Sequence, residues 1–198
     1  MRFELHYFKF AVASAIVAII FAGYLFVDSA HKTWAADEVP ISFWAWKADA
    51  PDTESVRGAL KLSGMNTLFL RAGQFDLKDG EVVRIRSAKG QLPHTVEIHL
   101  VYNGTKELLR NLESIDSEKL AAAVAKTYLH DREKYASDGA RIVGVQLDLD
   151  YATRLLERYS EAVRKLRERL PAGTVLSVTG LPTWMNSPDI SFLLDAVD

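Results

Sequence analysis

Residues 142–151 read Ile-Val-Gly-Val-Gln-Leu-Asp-Leu-Asp-Tyr, a short apolar run that ends in two carboxylates, Asp148 and Asp150. A helical pattern begins directly after the run, so we predict a β-strand that leads into a helix. Side chains two residues apart in a strand point to the same face of the sheet. In β/α folds, catalytic residues lie where the carboxyl ends of strands meet the following loops. This stretch therefore predicts both the fold class and the candidate active site.

The composition of the chain is that of an ordinary globular protein. It has 198 residues, a net charge of −2 and no cysteine. The charge balance gives no basic surface for nucleic acid, so we expect no nucleic-acid partner. Without cysteine, the chain has neither disulfides nor thiolate metal sites. No glycine-rich dinucleotide or P-loop motif follows a predicted strand, and we expect no cofactor.

The N-terminal residues predict a membrane segment. Arg2 and Lys9 precede an uncharged apolar run over residues 10–27, which is just long enough to cross a bilayer. We expect a short cytoplasmic region over residues 1–9, a signal anchor at 10–27 and a linker at 28–40. A cleaved signal peptide is the alternative. The remaining domain is then expected to be anchored in the inner membrane on the periplasmic side, or to be secreted if cleavage occurs.

From residue 41 onward, strand and helix patterns alternate, which predicts a parallel sheet with right-handed crossovers. We assign residues 41–198 to one (β/α) TIM-barrel-like domain. A complete eight-stranded barrel takes about 250 residues, so the barrel is expected to be truncated after about five strands, and a partner chain could complete it. Strands are predicted at residues 41–46, 66–71, 95–102, 142–150 and 174–181. Helices are predicted at 53–62 (Thr53 as N-cap, Gly64 as stop), 106–112, from 116 or 117 to 135, and 153–170. An inserted hairpin is predicted at 75–86, and the start of a sixth strand at 193–198.

The alternation within each strand predicts one shared polar face. If the apolar sets face the helices, the polar sets converge in the mouth of the barrel. Aromatic walls beside carboxylates suit a sugar, whose C–H faces stack on rings. The predicted pocket contains Asp148 and Asp150 as catalytic groups, His99, Asn103, Gln146 and Thr179 as polar lining, Trp44, Trp46 and Trp184 as walls, and Tyr151 at the rim or in the packing.

The two carboxylates predict a division of roles. Like charges about 6.6 Å apart between Cα atoms in a partly buried site raise the pKa of one group. Asp150, nearer the loop, is expected to donate a proton, while Asp148 stays ionised. Two alternatives stay open: Asp150 caps the following helix while Asp148 bonds a neighbouring strand, or both join His99 in a metal site.

Two motifs resemble known families. Gly144-Val-Gln-Leu-Asp-Leu-Asp150 resembles the Asp-Gly-x-Asp-x-Asp-x-Glu signature of family 18 glycoside hydrolases. Val145-Gln-Leu-Asp-Leu-Asp-Tyr151, together with Leu176-Ser-Val-Thr-Gly-Leu-Pro-Thr-Trp184, is more similar to the domain of unknown function 3142 family. The resemblance implies a glycosidase-like barrel over residues 41–198, with Asp148 in the place of the middle Asp and Asp150 in the place of the Glu proton donor. Gln146 replaces the first Asp.

The sequence therefore supports three hypotheses about function. The first is a glycosidase-like barrel domain in the cell envelope that acts on or binds a glycan, with Asp150 as general acid. The second is a non-catalytic carbohydrate-binding or envelope scaffold protein that uses the same pocket. The third is a metal-dependent hydrolase that uses Asp148, Asp150 and His99.

Overall fold

The computed structural model describes residues 42–47, 49–63 and 66–198. The predicted cytoplasmic region, membrane segment and linker lie outside these residues, as does Gly64, the expected helix stop. Within the described ranges, no helix has the length and apolar character needed to cross a membrane.

Strands and helices alternate along the described chain. The strands are β1 (Phe43–Ala45), β2 (Thr67–Lys78), β3 (Glu81–Ser87), β4 (Glu97–Gly104), β5 (Arg141–Asp148) and β6 (Val175–Val178). The α-helices are α1 (Thr53–Ser63), α2 (Lys106–Arg110), α3 (Ser117–Ser137), α4 (Leu156–Arg167) and α5 (Ile190–Leu194), and 3-10 turns cover Thr153–Leu155 and Pro182–Asn186.

The sheet has the predicted parallel order. Its main path runs β1-β2-β4-β5-β6, and every pair along this path is parallel. The prediction of an α/β fold with consecutive parallel strands is confirmed. The path does not return to β1, so the described sheet is open at β1 and at β6.

The predicted hairpin insertion is in fact an extension of the sheet. Strand β2 does not stop at Arg71 but continues to Lys78, where β3 pairs with it in antiparallel orientation. Phe75 is buried and contacts Tyr102 of β4, with ring centroids 5.7 Å apart, so the strand still packs on the core. Asp79 and Gly80 both have positive φ angles, 51° and 77°, as a tight type I′ hairpin turn requires.

The helix caps differ from the predictions at two positions. Asp116 caps α3 by accepting a hydrogen bond from the backbone N–H of Glu118. At α1 the capping residue is Asp52, whose carboxylate accepts from the backbone of Ser55 at 2.8 Å, and not Thr53. Asp150 caps nothing, because α4 and the 3-10 turn before it both begin without a side-chain cap hydrogen bond. The capping alternative for Asp150 is therefore wrong.

The end of the chain departs from the predicted sixth strand. Helix α5 covers Ile190–Leu194, and Leu193 within it and Ala196 just after it are both buried. Asp198 then lies against the open edge of β6. Its backbone N–H donates to the Leu176 carbonyl at 3.0 Å, and its carboxylate accepts from the Leu176 N–H at 2.7 Å. The backbone groups of Leu176 are thus satisfied at this edge.

Candidate functional site

One sheet face carries the apolar core, and the other carries polar and aromatic side chains. Leu70, Leu100, Val145 and Leu147 belong to the buried core cluster. We call the opposite side the polar face; it carries Trp44, Phe69, Arg71, His99, Asn103, Gln146, Asp148 and Ser177.

Three of the predicted site residues meet near the carboxyl ends of the strands. Asn103 of β4 lies directly opposite Asp148 of β5. The Thr179 hydroxyl, just after β6, donates to the Asp148 carboxylate at 2.8 Å. The Thr179 backbone N–H donates to the Leu147 carbonyl at 3.0 Å, which fixes the approach of the hydroxyl. Three neighbouring strands thus present one polar row.

The environment of Asp148 works against the expectation that this carboxylate stays ionised. Burial raises the pKa of Asp148, and the negative charge of Asp150 raises it further, while the Thr179 hydrogen bond and the more distant Arg71 charge act against these effects. Desolvation disfavours the charged form of a carboxylate. The sequence predicted that Asp148 stays ionised, whereas burial raises its pKa and opposes ionisation. Asp150 lies beyond the end of β5 and is exposed.

Aromatic rings form a row next to these polar groups. Trp44, Phe69 and His99 are register partners across β1, β2 and β4. The Phe69 and His99 rings stack with centroids 4.5 Å apart, and the Trp44 and Phe69 centroids are 6.4 Å apart. Trp46 meets Trp44 edge to face at 5.7 Å. Trp44 and Trp46 are 43% and 53% exposed, so their rings are available to a ligand.

Sequence reasoning missed Arg71, which lies between the aromatic row and the carboxylates. Its Nε donates to the Asn103 side-chain oxygen at 3.3 Å, and its guanidinium carbon lies 5.3 Å from the centroid of the Trp46 ring. The sequence contains a pattern that points to Arg71, because Phe69 and Arg71 alternate along the strand with Leu68 and Leu70, which are buried. The same alternation that identified His99 and Asn103 identifies Arg71.

His99 and Gln146 form the floor of the polar face. Both are buried, and the His99 Nδ1, the Gln146 Oε1 and the Ser177 Oγ have no hydrogen-bond partner in the described protein. Burial lowers the pKa of His99, which favours the neutral ring. Gly144 faces His99, and a Cβ at that position would lie 2.5 Å from Nδ1.

The metal hypothesis is wrong on geometry. His99 is aligned with Gly144, four residues before Asp148, which is about 13 Å along a strand. In the part of the chain that the structure describes, no three His, Cys, Asp or Glu side chains are grouped to hold a metal ion.

Two other predicted site residues lie in the core. Trp184 is 2% exposed, and its ring nitrogen donates to the Tyr151 carbonyl at 2.9 Å. The Tyr151 ring stacks on Tyr159 of α4 at 4.2 Å, and Tyr159 meets Trp184 edge to face at 5.8 Å. Tyr151 continues the alternation of Leu147 and Leu149, which face the helices. Trp184 and Tyr151 therefore pack α4 against the chain after β6 and do not line the polar face.

Comparison with known proteins supports the resemblance read from the motifs. Residues 107–198 match the model of a family described as "Domain of unknown function (DUF3142)". The matched part includes the segments around Asp148 and Leu176, so the resemblance that these motifs predict is confirmed there. No curated protein matches the chain.

Three solved structures share an arrangement similar to this chain. The spore cortex-lytic enzyme SleL of Bacillus cereus is 18% identical with a TM-score of 0.46, and the match covers 79% of this chain and 39% of that one. A chitinase from Chromobacterium violaceum is 12% identical with a TM-score of 0.47, covering 81% of this chain and 54% of that one. SleL of Bacillus megaterium is 13% identical with a TM-score of 0.47, covering 79% and 40%. The chain spans 39–54% of the length of these three proteins.

Proposed function

We propose that this chain is a glycosidase-like barrel domain whose polar face binds and hydrolyses a glycan. The observation that carries the proposal is the combination of exposed Trp44 and Trp46 rings with Asp148 on the same sheet face. Sugars bury C–H faces against aromatic rings while carboxylates act on the glycosidic oxygen.

The two carboxylates take different roles in this proposal. Asp150 is exposed just beyond β5, where a substrate enters, and donates the proton to the leaving oxygen. Asp148 is half buried and held by Thr179, and it orients and stabilises the reacting groups. The Thr179 hydrogen bond favours the ionised form of Asp148 and opposes the effect of burial on its pKa.

Asparagine substitutions test the catalytic roles. Asp148→Asn and Asp150→Asn keep the shape of each side chain and remove its acid–base chemistry. Loss of a general acid costs about 100-fold or more in rate, so hydrolysis of a responsive glycan should fall by at least that factor while binding persists. If neither substitution changes a measured hydrolysis rate, the catalytic assignment is wrong.

A second candidate is a non-catalytic carbohydrate-binding or scaffold protein. Gln146 favours it, because an amide stands where the resembling enzymes carry an acid, and its Oε1 has no hydrogen-bond partner in the described protein. An amide cannot exchange a proton with a neighbouring carboxylate at ordinary pH. This candidate predicts glycan binding without hydrolysis, with the same affinity in both asparagine variants.

We also propose that residues 10–27 anchor the domain outside the cytoplasm, with secretion after cleavage as the alternative, and that a partner chain completes the open sheet. The support is the apolar run behind Arg2 and Lys9 and the open edges of β1 and β6. Intact mass separates the first two outcomes: a membrane species near 22.1 kDa indicates an anchor, and a smaller soluble species indicates cleavage. Co-purification of a second chain with the membrane species tests the partner.

A further inference from the structure

Arg71 carries a positive charge that the described chain does not pair directly. It is partly buried at the centre of the polar face. Among the ion pairs formed within the described residues, none includes Arg71. Within the described residues, Arg71 forms one hydrogen bond, in which its Nε donates to the neutral amide oxygen of Asn103. A partly desolvated charge without a counter-ion is costly, and it points to an anion that comes from elsewhere.

The surroundings of Arg71 fix the guanidinium in a way that suits a carboxylate. The Trp46 ring lies against the guanidinium at 5.3 Å, a cation–π distance. Asn103 accepts from Nε. These two contacts leave the terminal nitrogens Nη1 and Nη2 for a ligand, and arginine binds carboxylates with paired donors.

Neutralising Asp148 is not an adequate explanation for Arg71. The two side chains form no ion pair, and the Asp148 carboxylate instead accepts from Thr179. Arg71 has the smallest effect of the groups acting on the pKa of Asp148, which stays raised. Arg71 lies on β2, whereas Asp148 lies on β5 with β4 between them.

We propose that the glycan recognised at the polar face is acidic, and that Arg71 binds a carboxylate on the sugar ring that stacks against Trp46. The inference rests on the proposed function, since it names the substrate class of the same face. A uronic acid, or a sugar with an ether-linked acid, has this chemistry. The carboxylate would lie toward Arg71 and the glycosidic oxygen toward Asp150.

Binding to matched oligosaccharides tests the inference with the full-length chain. Each acidic oligosaccharide in the panel is paired with its carboxyl-reduced form, which keeps the ring and linkage and removes the charge. We expect the protein to bind an acidic member and Arg71→Gln to weaken that binding at least about tenfold, as loss of a charge-assisted contact does. Arg71→Lys should recover part of the affinity, because it restores the charge but not the paired donors.

Arg164→Gln is the control, because it makes the same charge change at an exposed position of α4 on the other side of the sheet. It should leave binding unchanged. Equal binding of acidic and reduced members overturns the inference and keeps the proposed function. An equal loss for both members in Arg71→Gln also overturns it, since Arg71 would then only position Asn103. If no oligosaccharide of either kind binds, the proposed function itself is refuted.

Discussion

Replacement of Gly144 by alanine tests how the floor of the polar face is built. An alanine Cβ would lie 2.5 Å from the His99 Nδ1 and 2.7 Å from the Val175 carbonyl oxygen. Ordinary contacts between non-bonded heavy atoms are about 3.5–4.0 Å. The His99 ring cannot easily move aside, because it is 7% exposed and stacks on Phe69. The carbonyl belongs to the backbone of β6, which pairs with β5 at this position.

The cost follows from two opposing effects. Overpacking a buried site typically costs about 1–3 kcal/mol, and two contacts, one with backbone, place Gly144→Ala at the upper end. Alanine lowers the entropy of the unfolded chain and returns about 0.5–1 kcal/mol. We therefore expect a net loss of about 2 kcal/mol in the free energy of unfolding. With a slope of about 2 kcal/mol per M of urea, the unfolding midpoint should fall by about 1 M.

Equilibrium urea unfolding of the purified full-length chain measures this midpoint. Gly180→Ala is the matched control, since nothing lies within 4 Å of the added methyl group there; it should change the midpoint little or raise it. The double variant with His99→Ala removes the ring contact but leaves the Val175 oxygen, so its stability should recover in part relative to the sum of the single changes. An unchanged midpoint in Gly144→Ala would refute the tight packing of His99 against β5.

Four further outcomes follow from the described contacts. Tyr102→Phe should cost about 1.5–3 kcal/mol in urea unfolding, because the Tyr102 hydroxyl donates to the buried Asp131 carboxylate at 2.9 Å. Tyr159→Phe should cost almost nothing in the same assay, because the equally buried Tyr159 hydroxyl has no partner in the described protein. Thr179→Val removes a hydrogen bond that favours ionised Asp148, so an NMR carboxyl titration should show its pKa raised further. Since burial raises the folded-state pKa of Asp148 above its unfolded value, ionisation costs stability; Asp148→Asn should be more stable than wild type at pH 7, and the gap should close as pH falls through that pKa.

The order of the strands and the faces of their side chains could be predicted from the sequence. Apolar alternation in β4 and β5 identified which side chains share a face, and the register then brought Asn103 opposite Asp148. The same rule applied to β2 would have found Phe69 and Arg71. Neither a phenylalanine nor an arginine marks a site by its residue type, so only the alternation of buried and exposed side chains along β2 identifies them.

Other features depend on how deeply a side chain is buried, which the order of residues along the chain does not show. Trp184 and Asp150 both follow the ends of strands, where a turn decides the direction of a side chain. The turn after β6 directs Trp184 into the core. The burial of Asp148, which raises its pKa, likewise depends on how deeply its side chain lies.

The contrast between the two faces of the sheet is the strongest reason to expect a function at the polar face. The helix-facing side is a continuous apolar cluster, as stability alone requires. The polar face departs from those requirements at several adjacent positions: exposed tryptophans, orphaned buried atoms on His99 and Gln146, and Arg71 without a paired carboxylate. Each departure costs stability, and such costs are retained where a site needs them. Because the exposed tryptophans and Arg71 lie on neighbouring strands of one face, a single ligand with apolar faces and a negative charge could contact them together.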